Sequence, residues 1–317
     1  MSDRPDNTIA IPELAVRSAA EKGVLRILAY FDIFQYPLTK QEIRQFIPDF
    51  FSDAKLEPVL KSMLLNKIVF LHNDFYSLHD NPLLAYRRKE GNSRAKKLIP
   101  KAYSIGNFIF RFPFVRAIAI SGSLSKDFAD ENADIDFFII TKANRLWIAR
   151  TIMHLFKKLT FITGHQHYFC MNYYIDEEAL LIQDKNIFTA IEIGTLLPVS
   201  GYQTLNEFFE MNKWSSEFIN ATAKLDVPVA IKKDVKPWYK SFSEWAFNNR
   251  FGDHIDEWLM AVTTRRWQKK NDKGIRNKNG RTMNLVTGRH FSRSNPGAFQ
   301  EKVLFLYKQK LNDLKLS

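Results

Sequence analysis

The chain has 317 residues, 45% of them hydrophobic and 14% aromatic, a composition that builds packed cores and excludes a disordered polymer. Its single cysteine, Cys170, excludes an internal disulfide and a cysteine-rich zinc site, and no apolar run is long enough to span a bilayer. A net charge of +12 points to an anionic partner, with a merely basic soluble surface as the alternative.

Residues 1–15 are polar and carry prolines, and they read as a flexible tail. No basic segment followed by an apolar core opens the chain, which favours the cytoplasm over secretion. Val24, Leu25, Leu28 and Phe31 recur at helical spacing and predict a helix from Val16 to about Phe34, stopped by Tyr36-Pro37. Thr39-Lys40-Gln41-Glu42 is a capping box and predicts a short helix to Phe46. A third helix is expected over 53–66, with Leu56, Val59, Leu60, Met63 and Leu64 on its apolar side. Residues 67–78 read as a hairpin around His72-Asn73-Asp74. Three helices and a hairpin over 16–82 resemble a winged-helix domain. Such a domain can read DNA with its third helix, but here that helix carries only Lys55, Lys61 and Lys67 and no arginine. A packing or substrate-positioning module is the expectation, with a DNA-binding regulator as the alternative.

Residues 83–111 form a basic connector, with Arg87, Arg88, Lys89, Arg94, Lys96 and Lys97 inside eleven positions. As a helix it offers either a solvated face or a ridge that touches phosphates.

The chemistry lies in residues 112–202. A strand pattern over 114–121 ends in Gly122-Ser123, ten residues intervene, and Asp134-Ile135-Asp136 opens a second hydrophobic run to 140. If 134–140 is a strand, its period of two points Asp134 and Asp136 to one face and Ile135 and Phe137 to the other. Paired carboxylates beside a glycine turn suit Mg²⁺, or Mn²⁺, with a triphosphate, because hard cations take oxygen ligands and leave room for phosphates. Gly122 admits the phosphates without a Cβ in the way, and Ser123 and neighbouring amides bind their oxygens. Lys126 follows in the loop, either meeting the triphosphate or simply solvated. The alternative for the whole unit is a β-turn-β with solvated aspartates. A helix over about 143–158 and a strand over about 167–175 come next. His165 and His167 are too few to hold zinc.

This order of strand, Gly-Ser, variable loop and Asp-x-Asp resembles the polymerase-beta-type nucleotidyltransferase superfamily. The resemblance covers roughly residues 112–200. It implies an α+β fold with a mixed sheet flanked by helices, catalytic and metal-binding Asp134 and Asp136, and nucleotide-binding Gly122, Ser123 and Lys126. The family usually adds a third acid on a later strand. Here Asn172 occupies that strand, and an asparagine is at most a neutral ligand. Glu177, Glu178 and above all Glu192, in the apolar helical stretch 186–197, are the substitutes in view.

Residues 203–317 read as a helical region with a basic loop. Trp238, Trp245, Trp258 and Trp267 are expected to anchor helices in a core. The Gly- and Asn-rich stretch 265–293 is expected to be a long loop, with Arg281, Arg289, His290 and Arg293 available to phosphates. An amphipathic helix over 299–314 ends the pattern.

The function expected is Mg-dependent transfer of a nucleoside monophosphate from NTP to an acceptor hydroxyl. RNA or another polyanion is the favoured acceptor, and no membrane partner is expected. A nucleotide-binding sensor or scaffold without turnover is the main alternative.

Overall fold

The computed structural model describes residues 18–48, 53–131, 133–160, 170–220, 237–276, 285–294 and 297–316. Helix α1 (Ala19–Asp32) opens on a capping box in which Ser18 Oγ accepts from the Glu21 amide and Glu21 accepts from the Ser18 amide. After β1 (Leu38–Thr39), α2 (Lys40–Phe46) starts at the box read in the sequence, with Glu42 Oε2 accepting from the Thr39 amide at 2.9 Å. Helix α3 (Asp53–Leu65) and the hairpin β2 (Phe70–His72) and β3 (Phe75–Ser77) follow. Asn73 and Asp74 both take positive φ at the hairpin tip, the backbone that a tight two-residue turn demands. The small sheet has the order β1-β3-β2.

The basic connector is one helix, α4 (Pro82–Ile109), capped by Asn81. It is not a ridge of unused cations. Arg88 is buried, forks onto Glu42 and donates to the Pro37 carbonyl, while its guanidinium lies 3.7 Å from the Tyr36 ring centre. Arg87 reaches the carbonyls of Phe34 and Gln35 and the carboxylate of Asp130, and Arg94 pairs with Glu90 and Glu131. Only the lysines at 89, 96 and 97 are exposed in that cluster.

Six strands then make a mixed sheet: β4 (Val115–Ser121), β5 (Asp136–Thr141), β6 (Cys170–Asp176), β7 (Leu197–Ser200), β8 (Leu285–Thr287) and β9 (Phe291–Ser294). Their order is β7-β4-β5-β6-β9-β8, with only β5 and β6 parallel. The parallel pair is joined through α5 (Leu146–Thr160), as parallel strands require a crossover. Alternation sorts β5 between two cores. Ile135, Phe137 and Ile139 pack with α4 and α5, while Phe138 and Ile140 pack with α6 (Ile187–Gly194) and α7 (Tyr202–Met211). Gly106 lets α4 lie on the sheet, since a Cβ there would come within 2.8 Å of Val199. The α1–α3 unit shares its core with Phe128, with Ile191 of α6 and with Val303 of α10 (Phe299–Asp313).

Three sequence expectations need correction. The helical stretch expected over 186–197 stops at Gly194, and Leu197–Ser200 form the strand at the β4 end of the described sheet, where Pro198 is tolerated. The described end of the expected basic loop is the hairpin β8–β9, added to the sheet beside β6. The tryptophans are not mainly core anchors: Trp238, Trp245 and Trp258 are 78%, 76% and 63% exposed. For Trp238 and Trp245 the reason lies in α8 (Trp238–Phe247), which turns its polar side inward. Buried Lys240 donates to the carbonyls of Phe110 and Val115, and Glu244 accepts from the Phe114 amide and from Arg116. Phe114 itself sits at φ 65°, so α8 clamps a strained turn at the entrance to β4. Helix α9 (Arg250–Asp272) follows at once.

Candidate functional site

Strand β4 runs antiparallel to β5, with Ser121 paired to Asp136. At Gly122 the chain takes φ 71° and turns away into a short 3-10 turn, Leu124–Lys126. A Cβ at position 122 would lie 2.6 Å from Asp136 Oδ2. Glycine is therefore required twice, by the left-handed backbone and by the carboxylate closing over it.

Asp136 is the first residue of β5 and is half-buried, on the face shared with Phe138. Asp134 is exposed and precedes the strand, which begins two residues later than the sequence pattern suggested. On the β4 side the ladder closes at Asp136, which faces Ser121, the last residue of β4. Ser123 is exposed at the turn, and its carbonyl accepts from the Lys126 and Phe128 amides.

Lys126 folds back. Its Nζ donates to the Gly122 carbonyl at 3.0 Å and to Glu192 Oε1 at 2.8 Å. Ser125 Oγ donates to the same carbonyl at 2.9 Å. From outside, the Tyr36 hydroxyl donates to the Lys126 carbonyl; burial holds that phenol well above its usual pKa, so it remains a donor. The Gly122–Lys126 turn is thus braced by α6 on one side and by the N-terminal helical unit on the other.

A cavity of about 350 Å³ opens at Asp136 and Gly122 and runs over the second face of the sheet. Glu192 lines it, together with Phe138, Tyr173, Phe208 and Phe299. Arg293 of β9 lines it too, with its guanidinium paired to Asp184 at 2.7 Å. Burial raises the Tyr173 pKa against the pull of Arg293, which keeps its O–H protonated.

The remaining acids sort by position. Asp176, at the far end of β6, is fully buried, accepts from the amides of Asn144 and Glu178, and lies 2.9 Å from His290 Nδ1. Glu177 accepts from the Ala143 amide and faces Arg116. Asp176 is paired with Thr141, five residues along β5 from Asp136, about 16 Å at strand spacing. These acids hold the opposite rim of the sheet. Asn172 is the extra residue where the β5–β6 register shifts, between Met171 opposite Phe137 and Tyr173 opposite Phe138; its side chain lies outside the described residues. Of the substitute acids in view, Glu192 is the one that lines the cavity.

Among the described residues no three of His, Cys, Asp and Glu converge as metal ligands. Asp136, with Asp134 two residues before it, fits a hard divalent cation of the kind held by one or two carboxylates and completed by phosphate and water. Arg289 reaches Asn144 and Glu257, and His290 reaches Asp176, so both serve the far rim rather than this site. Arg281, His165 and His167 lie outside the described residues. Sequence reasoning missed Thr189, Phe299 and Gln300 as lining residues; the spacing that joins α6 to α10 across the cavity is a tertiary fact with no local motif.

No protein-family model, no curated protein and no solved structure matches this chain.

Proposed function

We propose that the chain is a Mg-dependent nucleotidyltransferase that moves a nucleoside monophosphate from NTP to an acceptor hydroxyl. The observation that carries the reading is the closure of Asp136 on Gly122, a carboxylate held against a left-handed glycine turn at the mouth of a cavity. The strand order supports it, with the Gly-Ser strand antiparallel and the following crossover strand parallel to the Asp strand. Asp136 and Asp134 hold the cation, whose role when bound is to neutralise the charge of the transferring phosphoryl group. Ser123 and the amides of the turn orient the phosphates, and Lys126 keeps the turn in shape. Glu192 takes the proton from the acceptor hydroxyl. The N-terminal unit, read as winged-helix-like, acts as a brace, because Tyr36 and Arg88 tie it to the turn and to α4.

The test is pyrophosphate release from each of the four NTPs with Mg²⁺, together with metal-dependent NTP binding. Asp136→Asn is expected to lose both. Release at the wild-type rate by this variant would place the chemistry elsewhere. A second reading, nucleotide binding without turnover, is favoured by the lack of a three-acid cluster among the described residues. Metal-dependent NTP binding with no pyrophosphate release would select it.

A further inference from the structure

We infer that the cavity beside Asp136 is the acceptor subsite and that its acceptor is a small, ring-bearing alcohol without negative charge, not RNA or another polyanion. This inference rests on the nucleotidyl-transfer reading. Three observations carry it.

The first is size. A cavity of about 350 Å³ lies at the small end of the size of small-molecule sites, suited to one small molecule and not to a nucleic-acid strand. The second is the wall. Phe138, Tyr173, Phe188, Phe208 and Phe299 line it, with the aliphatic Ile182, Ile193 and Leu196 between them. Such a wall rewards an apolar ring that fills it and offers little to a chain of phosphates. The third is charge. The ionisable groups on the wall are the acids Asp136 and Glu192, a buried phenol at Tyr173, and Arg293, which already faces Asp184. Glu192 is likewise already paired, to Lys126, so an anion entering there finds among the lining residues only a cation committed to Asp184 and an apolar wall that offers it little.

The position agrees with the chemistry. Ser123 and Asp134 are exposed and lie outside the lining, so the triphosphate belongs on the open side of Asp136. Phosphoryl transfer runs with attacking and leaving oxygens roughly in line. A pyrophosphate leaving on the open side therefore requires the hydroxyl to arrive from the cavity. In the step, the acceptor oxygen forms a bond to the α-phosphorus as the bond from that phosphorus to the bridging oxygen breaks. Pyrophosphate leaves with that electron pair, and the hydroxyl proton passes to Glu192.

The probes are 2-phenylethanol and tyramine, with a short single-stranded RNA as the polyanion, each offered with α-labelled NTPs and Mg²⁺. Binding of 2-phenylethanol is read separately by saturation-transfer NMR. Two variants bracket the cavity: Leu196, which lines it just after α6, is replaced in Leu196→Trp to fill it, and Phe299→Ala widens it. Wild type is expected to bind 2-phenylethanol and label one or both alcohols but not the RNA. Leu196→Trp should lose alcohol binding and labelling by about tenfold or more while NTP binding stays within about twofold, which also reports that it has folded. Phe299→Ala should shift preference toward 2-naphthylethanol by about fivefold. Labelling of RNA unaffected by Leu196→Trp, or no alcohol binding in wild type, overturns the inference and leaves nucleotidyl transfer standing. Alcohol binding without any metal-dependent NTP binding overturns the transfer reading instead.

Discussion

Lys126 Nζ bridges Glu192 Oε1 at 2.8 Å and the Gly122 carbonyl at 3.0 Å, so one ammonium ties the glycine turn to α6. A lysine that instead reached the triphosphate would have to abandon both partners. The brace makes a specific kinetic statement about Lys126→Met. Turnover should fall about tenfold, as positioning is lost, while KM for NTP stays within about threefold. A rise in KM for NTP of more than about tenfold would show the lysine on the phosphates.

Gly122→Ala tests the closure of Asp136. The left-handed backbone costs a non-glycine residue about 1–2 kcal/mol, and the new methyl would displace the carboxylate. The midpoint of urea unfolding should drop accordingly, and metal-dependent NTP binding should weaken by about tenfold or more. A variant that keeps full affinity would mean that Asp136 does not work in this conformation.

The acids of the site should separate by position. Asp136→Ala should abolish turnover. Asp134→Ala, exposed and ahead of the strand, should lower it less. Glu192→Gln should lower it by about 10²-fold, the usual scale for losing a proton-transfer group. If Glu192→Gln is silent while Asn172→Asp preserves or raises activity, α6 does not take the proton and the bound metal alone acidifies the acceptor hydroxyl. Single-turnover rates with one acceptor measure all four variants.

His154 on α5 and Asp256 on α9, which packs against it, give opposite pH dependences. Burial pushes His154 down to about 3, aided by Arg150, Lys157 and Lys158. The unfolded chain then binds a proton that the fold excludes, so this stability is present above about pH 6.5 and is lost as pH falls toward 3. Burial pushes Asp256 up to about 6, against hydrogen bonds from the Ile148 and Trp147 amides. Its contribution is present below about pH 4 and is lost as pH rises through 6. Thermal melts from pH 4 to 7 should therefore show a shallow slope in the wild type. His154→Phe should leave a stability that falls with rising pH, and Asp256→Asn one that rises. Identical slopes in all three proteins would remove the assignment.

Lys240→Met should destabilise the chain by about 2 kcal/mol or more, because it strands the Phe110 and Val115 carbonyls beside a strained Phe114. Lys240→Arg, which can still donate, should recover part of that loss. Chemical denaturation of the three proteins decides it, and a neutral Lys240→Met would show that solvent reaches those carbonyls.

Legibility in the sequence followed locality. The capping box at Thr39 and Glu42, the hairpin at Asn73-Asp74 and the β4–β5 pair all rest on residues close in sequence, where period and turn chemistry speak directly. Asp134 was misplaced by two residues: the ladder to β4 closes at Asp136 opposite Ser121, which the alternation of residues 134–140 does not carry. The hairpin at 285–294 was hidden by its glycine and charges, although Leu285-Val286-Thr287, Gly288 and Phe291 carry a strand-turn-strand signal. The inverted face of α8 was illegible, since a lysine that caps distant carbonyls looks in sequence like any solvated lysine. Glu192 reached the cavity through α6, and Arg293 through β9, by packing that no spacing announces.

The placement of β9 beside β6 has a consequence for biogenesis. His290, at the start of that hairpin's return strand, is 114 residues beyond Asp176, its partner at the end of β6. At 5–20 residues per second a ribosome needs on the order of ten seconds to cover that interval. Throughout it, β6 has one neighbour and one bare edge, the state most prone to pair with another nascent chain. The cavity wall is likewise missing Arg293 and Phe299 until then. Assembly of this site therefore waits on residues made more than a hundred positions after β6, and chaperone occupancy during synthesis should peak between the emergence of residue 176 and that of residue 294.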